Sequence, residues 1–203
     1  MTLANALQLI PSFWDPEEPF PFGKNDHSNH IQRLQEEFKD DLPDSLLEYI
    51  RTAVPDEDVD FTNVGSTITL YGIDRLKYLQ PGYNYDEKSQ SPIESDWKAS
   101  FFVIGDEDGD PILIDLQEPE DGILVLEHGA GSWEYGESRA ATIGQFLLCS
   151  AAQHQMLMAD EDPIVDDEDG FCLHPEVANW YFPKMKEWAG HYYPEWCSVF
   201  DNS

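Results

Sequence analysis

The residues able to do chemistry cluster near the carboxyl-terminal end, and calcium is the first chemistry they raise. An EF-hand loop needs acidic ligands at positions 1, 3 and 5, glycine at 6 and glutamate at 12. Counted from Val165, Asp167, Asp169, Gly170 and Glu176 fall at positions 3, 5, 6 and 12. Val165 offers no ligating oxygen at the first position, and Pro175 interrupts the span. Counted from Asp106, Asp108 and Asp110 fit, but Pro111 replaces the glycine and Gln117 the last carboxylate. Zinc is the second chemistry, since Cys172, His174, His191 and Cys197 are suitable ligand types. Structural zinc sites present two closely spaced pairs, and the step from His191 to Cys197 is loose. No metal and no cofactor is expected.

Covalent chemistry is no better served. The chain has no Gly-x-Ser-x-Gly elbow. Cys149 and His154 lie five residues apart, a spacing that a helix does not turn into a nucleophile–base pair. The glycine-rich stretch Gly129 to Gly136 lacks the Gly-Lys-Ser/Thr ending of a phosphate loop and holds no basic residue. It reads as a bend or an irregular edge strand carrying Trp133 and Tyr135. Carboxylates are too numerous for any pair of them to mark acid–base catalysis. The chain is not expected to be an enzyme.

The elements organise around Phe101 to Leu116. Two short apolar runs, Phe101–Ile104 and Ile112–Leu116, flank Asp108-Gly109, the pattern of a β-hairpin at the centre of a sheet. Ile112 and Ile114 alternate with Leu113 and Asp115, which predicts one buried face and one mixed face. Ile68 and Leu70 alternate with threonines in a strand bounded by Gly65 and Gly72, and Ile123–Leu126 reads as another strand. Helices are predicted over Ile31–Phe38, after Pro43 with Asp44 or Ser45 as cap, and over Arg139–Met158 with Ser138 as cap. Trp180, Tyr181, Met185 and Trp188 line a further helical face that Pro183 should kink or split. Pro11, Pro16, Pro19 and Pro21 predict irregular structure over residues 1–30, with the intervening aromatics packed on the body.

The composition narrows the partners. Forty-one acidic against 11 basic residues give a formal net charge of -30, which repels nucleic acid and anionic membranes. A basic protein partner suits it, although solubility or salt adaptation would produce the same surface. Three cysteines, Cys149, Cys172 and Cys197, give no disulfide framework and suit a reducing compartment. The N-terminal residues lack a basic region and a long apolar core, so no signal peptide is expected and the compartment is expected to be cytoplasmic. No run is apolar enough to span a bilayer.

The order of these elements resembles the SUKH superfamily, the Smi/Knr-like proteins. The resemblance is carried by the helix start Leu42-Pro43 with Leu46, Leu47 and Ile50, and by the strand Ile68-Thr-Leu-Tyr71. It continues through the hairpin Phe102-Val-Ile-Gly-Asp-Glu-Asp-Gly-Asp-Pro-Ile-Leu-Ile-Asp115 and Ala140-Ala-Thr-Ile-Gly-Gln-Phe-Leu147. It implies an α+β fold, a mostly antiparallel sheet with helices packed against it in one SUKH-like domain. The domain would span residues 36–158, between an aromatic, proline-rich arm over 1–35 and an acidic loop with an aromatic helical extension over 159–203. Many members of the superfamily are bacterial immunity proteins, so the resemblance implies binding and neutralisation of a cognate toxin domain, here a basic one such as a nuclease. Asp106, Glu107, Asp108 and Asp110 at the hairpin tip, with Trp133 and Tyr135 as aromatic anchors, are the expected partner-binding residues. A regulatory protein-interaction scaffold and a calcium- or metal-dependent protein are the alternatives.

Overall fold

In a computed structural model, which describes all residues except 40–41, 159–161 and 168–169, the chain opens with a helix rather than irregular structure. This helix, α1 (Leu3–Leu9), is capped by the Thr2 hydroxyl, which accepts the Asn5 N–H at 3.2 Å. Leu3, Ala6 and Ile10 recur at helical spacing and are buried. Proline density limited the length of this segment, not its helicity: seven residues fit before the chain tightens at Ile10–Ser12 around Pro11. Helix α2 (Ile31–Phe38) has the predicted bounds and buries Leu34 and Phe38. In α3 (Asp44–Thr52) neither Asp44 nor Ser45 is the cap. Pro43 takes that position, and Asp44 sits in the first turn, where its charge favours the helix dipole.

Strands β1 (Val59–Asn63) and β2 (Ser66–Leu70) form a hairpin around Gly65. A long insertion holding the small hairpin β3 (Tyr85–Asp86) and β4 (Ser91–Pro92) separates them from β5 (Phe101–Glu107) and β6 (Asp110–Asp115). Then follow β7 (Ile123–Leu126) and β8 (Gly136–Ala140). The sheet order is β1-β2-β5-β6-β7-β8, antiparallel throughout, so the predicted hairpin is its centre. Asp108 and Gly109 have φ of 49° and 99°, the two positive values that a tight two-residue turn requires. Gly105 lets β5 approach β2, since a Cβ there would lie 2.4 Å from the Thr69 carbonyl oxygen.

Ile112 to Asp115 are all buried, which corrects the expectation of a mixed face. One face of the sheet carries helices: Phe102 stacks on Phe38 of α2 at 4.8 Å between ring centres. The other is covered in part by the insertion, whose Trp97 packs edge-on against Phe101 at 5.3 Å.

Helix α4 (Ile143–Met158) starts later than the sequence suggests. Ser138 does not cap it, because residues 136–140 pair with β7; the Thr142 hydroxyl accepts the Gln145 N–H at 3.1 Å instead. Every residue from Ile143 to Met156 is buried, because α4 lies between the sheet and the two ends of the chain. On its amino-terminal side α1 comes so near that a Cβ on Gly144 would lie 2.7 Å from the Leu3 Cα. Trp14 stacks on His154 at 5.4 Å. Beyond the hairpin β9 (Ile164–Asp167) and β10 (Gly170–Leu173), α5 (Pro175–Trp188) packs on α4, and α6 (Tyr193–Cys197) ends the chain's regular structure. Pro183 does not split α5; it lies on the exposed side, while Tyr181, Met185 and Trp188 bury the other.

Candidate partner-binding surface

The four hairpin acids occupy one end of the sheet, and each is tied into the fold. Asp106 accepts the Gly109 N–H at 3.0 Å and lies 3.7 Å from Arg75. Asp108 accepts the Thr67 N–H at 3.1 Å and stands exposed at the turn. Asp110 accepts the His128 N–H at 2.7 Å and so fastens the glycine-rich loop to the hairpin. Glu107 reaches inward. It accepts from the Ser66 hydroxyl at 2.7 Å and the Asn63 amide, and pairs with Arg139 at 3.3 Å, with 15% of its side chain exposed.

These residues border a cleft of about 350 Å³ lined by Glu107, Asp108, Asp110, Glu127, Glu137 and Arg139, whose guanidinium pairs with Glu107. Five carboxylates against one cation leave the cleft negative. Burial pushes the Glu195 carboxyl up, and the hydrogen bond and charge of Glu137 add to this while Arg139 opposes it. Arg139 in turn lies 5.7 Å from the Trp196 ring, whose Nε1 donates to the Arg139 carbonyl at 3.2 Å, so the chain's end docks on edge strand β8.

The aromatic pair divides. Trp133 is half-buried in a cluster with Tyr83, Trp97 and His128, with ring centres 5.6, 5.0 and 5.8 Å away. Tyr135 is 58% exposed. The hydroxyl of Tyr83 donates to the Gly109 carbonyl at 2.9 Å, which links the cluster to the hairpin turn. Burial pushes the Tyr83 phenol up to about 12. The structure thus brings Trp133 and Asp110 together through His128, although 23 positions separate them in the sequence.

A model of the SMI1/KNR4 family (SUKH-1) matches residues 27–149. The chain belongs to that family. A comparison with curated proteins gives no match. The SMI1/KNR4 region takes in α2, α3, the whole six-stranded sheet and the first turns of α4, and all six expected partner-binding residues lie inside it. Helices α1, α5 and α6 lie outside it and pack around α4 and β8.

Among the described residues neither metal reading finds its geometry. Val165 and Asp167 lie in β9 and Gly170 in β10, paired as a hairpin rather than wound as a calcium loop; Asp169 is outside the described residues. Cys172 is in β10, His174 precedes α5, and Cys197 is buried in α6. Among the described residues no group of three or more Cys, His, Asp and Glu side chains could hold a metal ion. Burial pushes the Cys197 thiol up to about 11, and that of Cys149 higher still, the opposite of nucleophile activation. Cys149 and His154 share α4, where the His154 Nδ1 accepts the Thr62 N–H at 3.0 Å and caps edge strand β1. Among the described residues no helix is long and apolar enough to cross a membrane.

Sequence reasoning missed three anchoring residues. Asp96 holds the glycine-rich loop through the Trp133 N–H at 3.0 Å and the Ser132 hydroxyl at 2.5 Å. The Ser132 hydrogen bond holds its carboxyl below the usual range. Lys98 and Asp115 form an ion pair at 3.0 Å behind that loop. Only Asp115 left a mark in the sequence, as a carboxylate inside an apolar strand.

Proposed function

We propose that this chain is a non-catalytic immunity-type protein that binds a cognate toxin domain and blocks it. Membership of the SMI1/KNR4 family carries the reading. The net charge of -30 suits a basic domain, such as a nuclease whose active site is built for phosphates, and supports that choice of partner. The chain offers that partner the carboxylates of the hairpin end, where Asp108 is exposed and Asp106, Glu107 and Asp110 are half-buried, with Tyr135 as an exposed aromatic.

Rescue tests this. Co-expression with a toxic domain found by its gene's adjoining position is expected to restore growth, and the purified pair to form a stoichiometric complex whose association slows with added salt. A gene with no toxin beside it counts against the immunity reading. Toxicity unrelieved by the chain would remove the immunity reading. If the chain instead held a non-toxic endogenous protein at physiological salt, a regulatory scaffold would take its place.

A further inference from the structure

The helix-free face of the sheet holds a second surface, separate from the acids at the hairpin tip. Cross-strand pairing puts Phe101 opposite Asp115, and Leu113 opposite both Val103 and Leu124, so these side chains share this face. The insertion covers only part of it. Between the Lys98 segment and the glycine-rich loop lies a groove of about 260 Å³. Its floor is apolar: Phe101, Leu124, Leu126 and Trp133, with Leu124 and Trp133 half-buried. Its rim carries Glu118, Asp121 and Glu134, all exposed.

The chain's own Lys98 shows what this groove accepts. Its ammonium lies 3.0 Å from Asp115, 3.9 Å from Glu118 and 5.3 Å from the centre of the Phe101 ring. That is a cation held by carboxylates over an aromatic face. Among the groove's lining residues Lys98 faces four carboxylates: it pairs with Asp115 and lies at the edge of ion-pair distance from Glu118, so one cation stands against four acids. The hydrogen bond that Lys98 donates to Asp115 raises its ammonium above its usual range, and the charges of Asp115, Glu118 and Asp121 add to this.

We propose that this groove docks a basic segment of the partner protein, one Arg or Lys lying beside Lys98 within the Glu118, Asp121 and Glu134 rim while an adjacent apolar side chain covers Leu124 and Trp133. The proposal rests on the reading that the partner is a basic protein; it adds where that partner is held and by which side chains.

A defined peptide tests it without the partner. Acetyl-Leu-Arg-Leu-Arg-Leu-amide is titrated at 0.15 M salt into the 15N-labelled full chain. The expected amide and indole shifts map to Phe101, Leu124, Leu126 and Trp133. The variant Glu118→Lys/Asp121→Lys/Glu134→Lys, with all three positions exposed and an unchanged melting temperature expected, should weaken binding at least tenfold. The control Glu36→Lys/Glu48→Lys/Glu187→Lys reverses three exposed acids on the helices and should weaken it less than twofold. Equal losses in the two variants, or shifts spread over the acidic surface, would mean attraction by net charge alone and overturn the groove. Growth rescue by the rim variant, undiminished along with its affinity for the toxin, would also overturn the groove while leaving the immunity reading standing. Loss of rescue in the wild-type chain would sink that reading without touching the peptide result.

Discussion

Asp115→Asn is the sharpest stability test, because one buried carboxylate ties the Lys98–Ser100 segment and the turn at Gln117 to the sheet. Asp115 is 2% exposed and accepts from Lys98 Nζ at 3.0 Å and from the Gln117 N–H at 3.1 Å, with the Ser100 side chain as a third partner. Burial pushes the carboxyl up, but the hydrogen bonds from Ser100, Lys98 and Gln117 and the charge of Lys98 outweigh it and hold it below the usual carboxylate range. Asparagine keeps the shape and the acceptor for Gln117, and turns an amide N–H₂ toward the ammonium. One charge-assisted bond is lost, a net ~1.5–3 kcal/mol. Half of the Lys98 side chain is exposed, so water resolvates it and the lower end applies, about 1.5–2 kcal/mol. For a domain of this size that lowers Tm by about 3–8 °C. A carboxyl depressed by native contacts contributes stability that is present above its unfolded value near ~3.9 and is lost as pH falls through the lower folded value. Urea denaturation of both proteins from pH 7 down to pH 3 should therefore show the gap at its full size at pH 7 and closing below about pH 4. A gap of constant size across that range, or none at pH 7, refutes the account.

Gly144→Ala drives a Cβ into the Leu3 backbone; the overpacking cost of ~1–3 kcal/mol exceeds the helix-propensity gain of at most ~1, and hydrogen exchange should show α1 loosened before the rest. Glu107→Ala leaves Arg139, 17% exposed, without its carboxylate and strips the Ser66 and Asn63 bonds; a loss of ~3–5 kcal/mol in chemical denaturation is expected. Asp108→Asn keeps an acceptor for the Thr67 N–H and tolerates the positive φ, so stability should change by less than ~0.5 kcal/mol. The same variant should slow association with a basic partner in stopped-flow measurements. Tyr83→Phe removes the hydroxyl bond to the Gly109 carbonyl but keeps the stack on Trp97, costing about 1 kcal/mol by thermal melting.

The central hairpin was legible because its turn is specified locally: Asp108 and Gly109 are among the few residues that take positive φ cheaply. Strand β7 and helix α2 were legible for similar reasons, each being a short apolar pattern with clear ends. Strand β1 was not. Only Phe61 in it is buried, and Asp60 and Thr62 give it the look of a loop; pairing with β2 makes it a strand. The start of α4 was misplaced because Ser138 is a good local cap, and strand pairing with β7 outcompeted that preference. The hairpin acids were legible as a cluster, but the partner that turns Glu107 inward, Arg139, is 32 positions away. The groove was invisible for the same reason: Lys98, Asp121 and Trp133 meet only because β6 and β7 fold between them.

The way α1, α5 and α6 pack covers one side of the molecule and leaves the hairpin end and the groove uncovered. Helices α1 and α5 cover α4, Phe13 lies between Trp180 and Trp188 at 5.7 and 5.4 Å, and α6 occupies part of the β8 edge. The helical side is thus already occupied by the chain itself, whereas the hairpin end and the helix-free groove present carboxylates outward. The two act over different ranges. At 0.15 M salt the screening length is about 8 Å, so acids beyond that distance from a docked partner act only through the summed field that guides approach. Carboxylates of the groove rim act at contact, on dissociation. Added salt should accordingly slow association of wild type and of both triple-charge variants, whereas faster dissociation at a given salt concentration should appear in the rim variant and not in the helix control. If the helix control dissociated faster as well, the acids would be acting as one undifferentiated charge, and the division between guiding and gripping would fail.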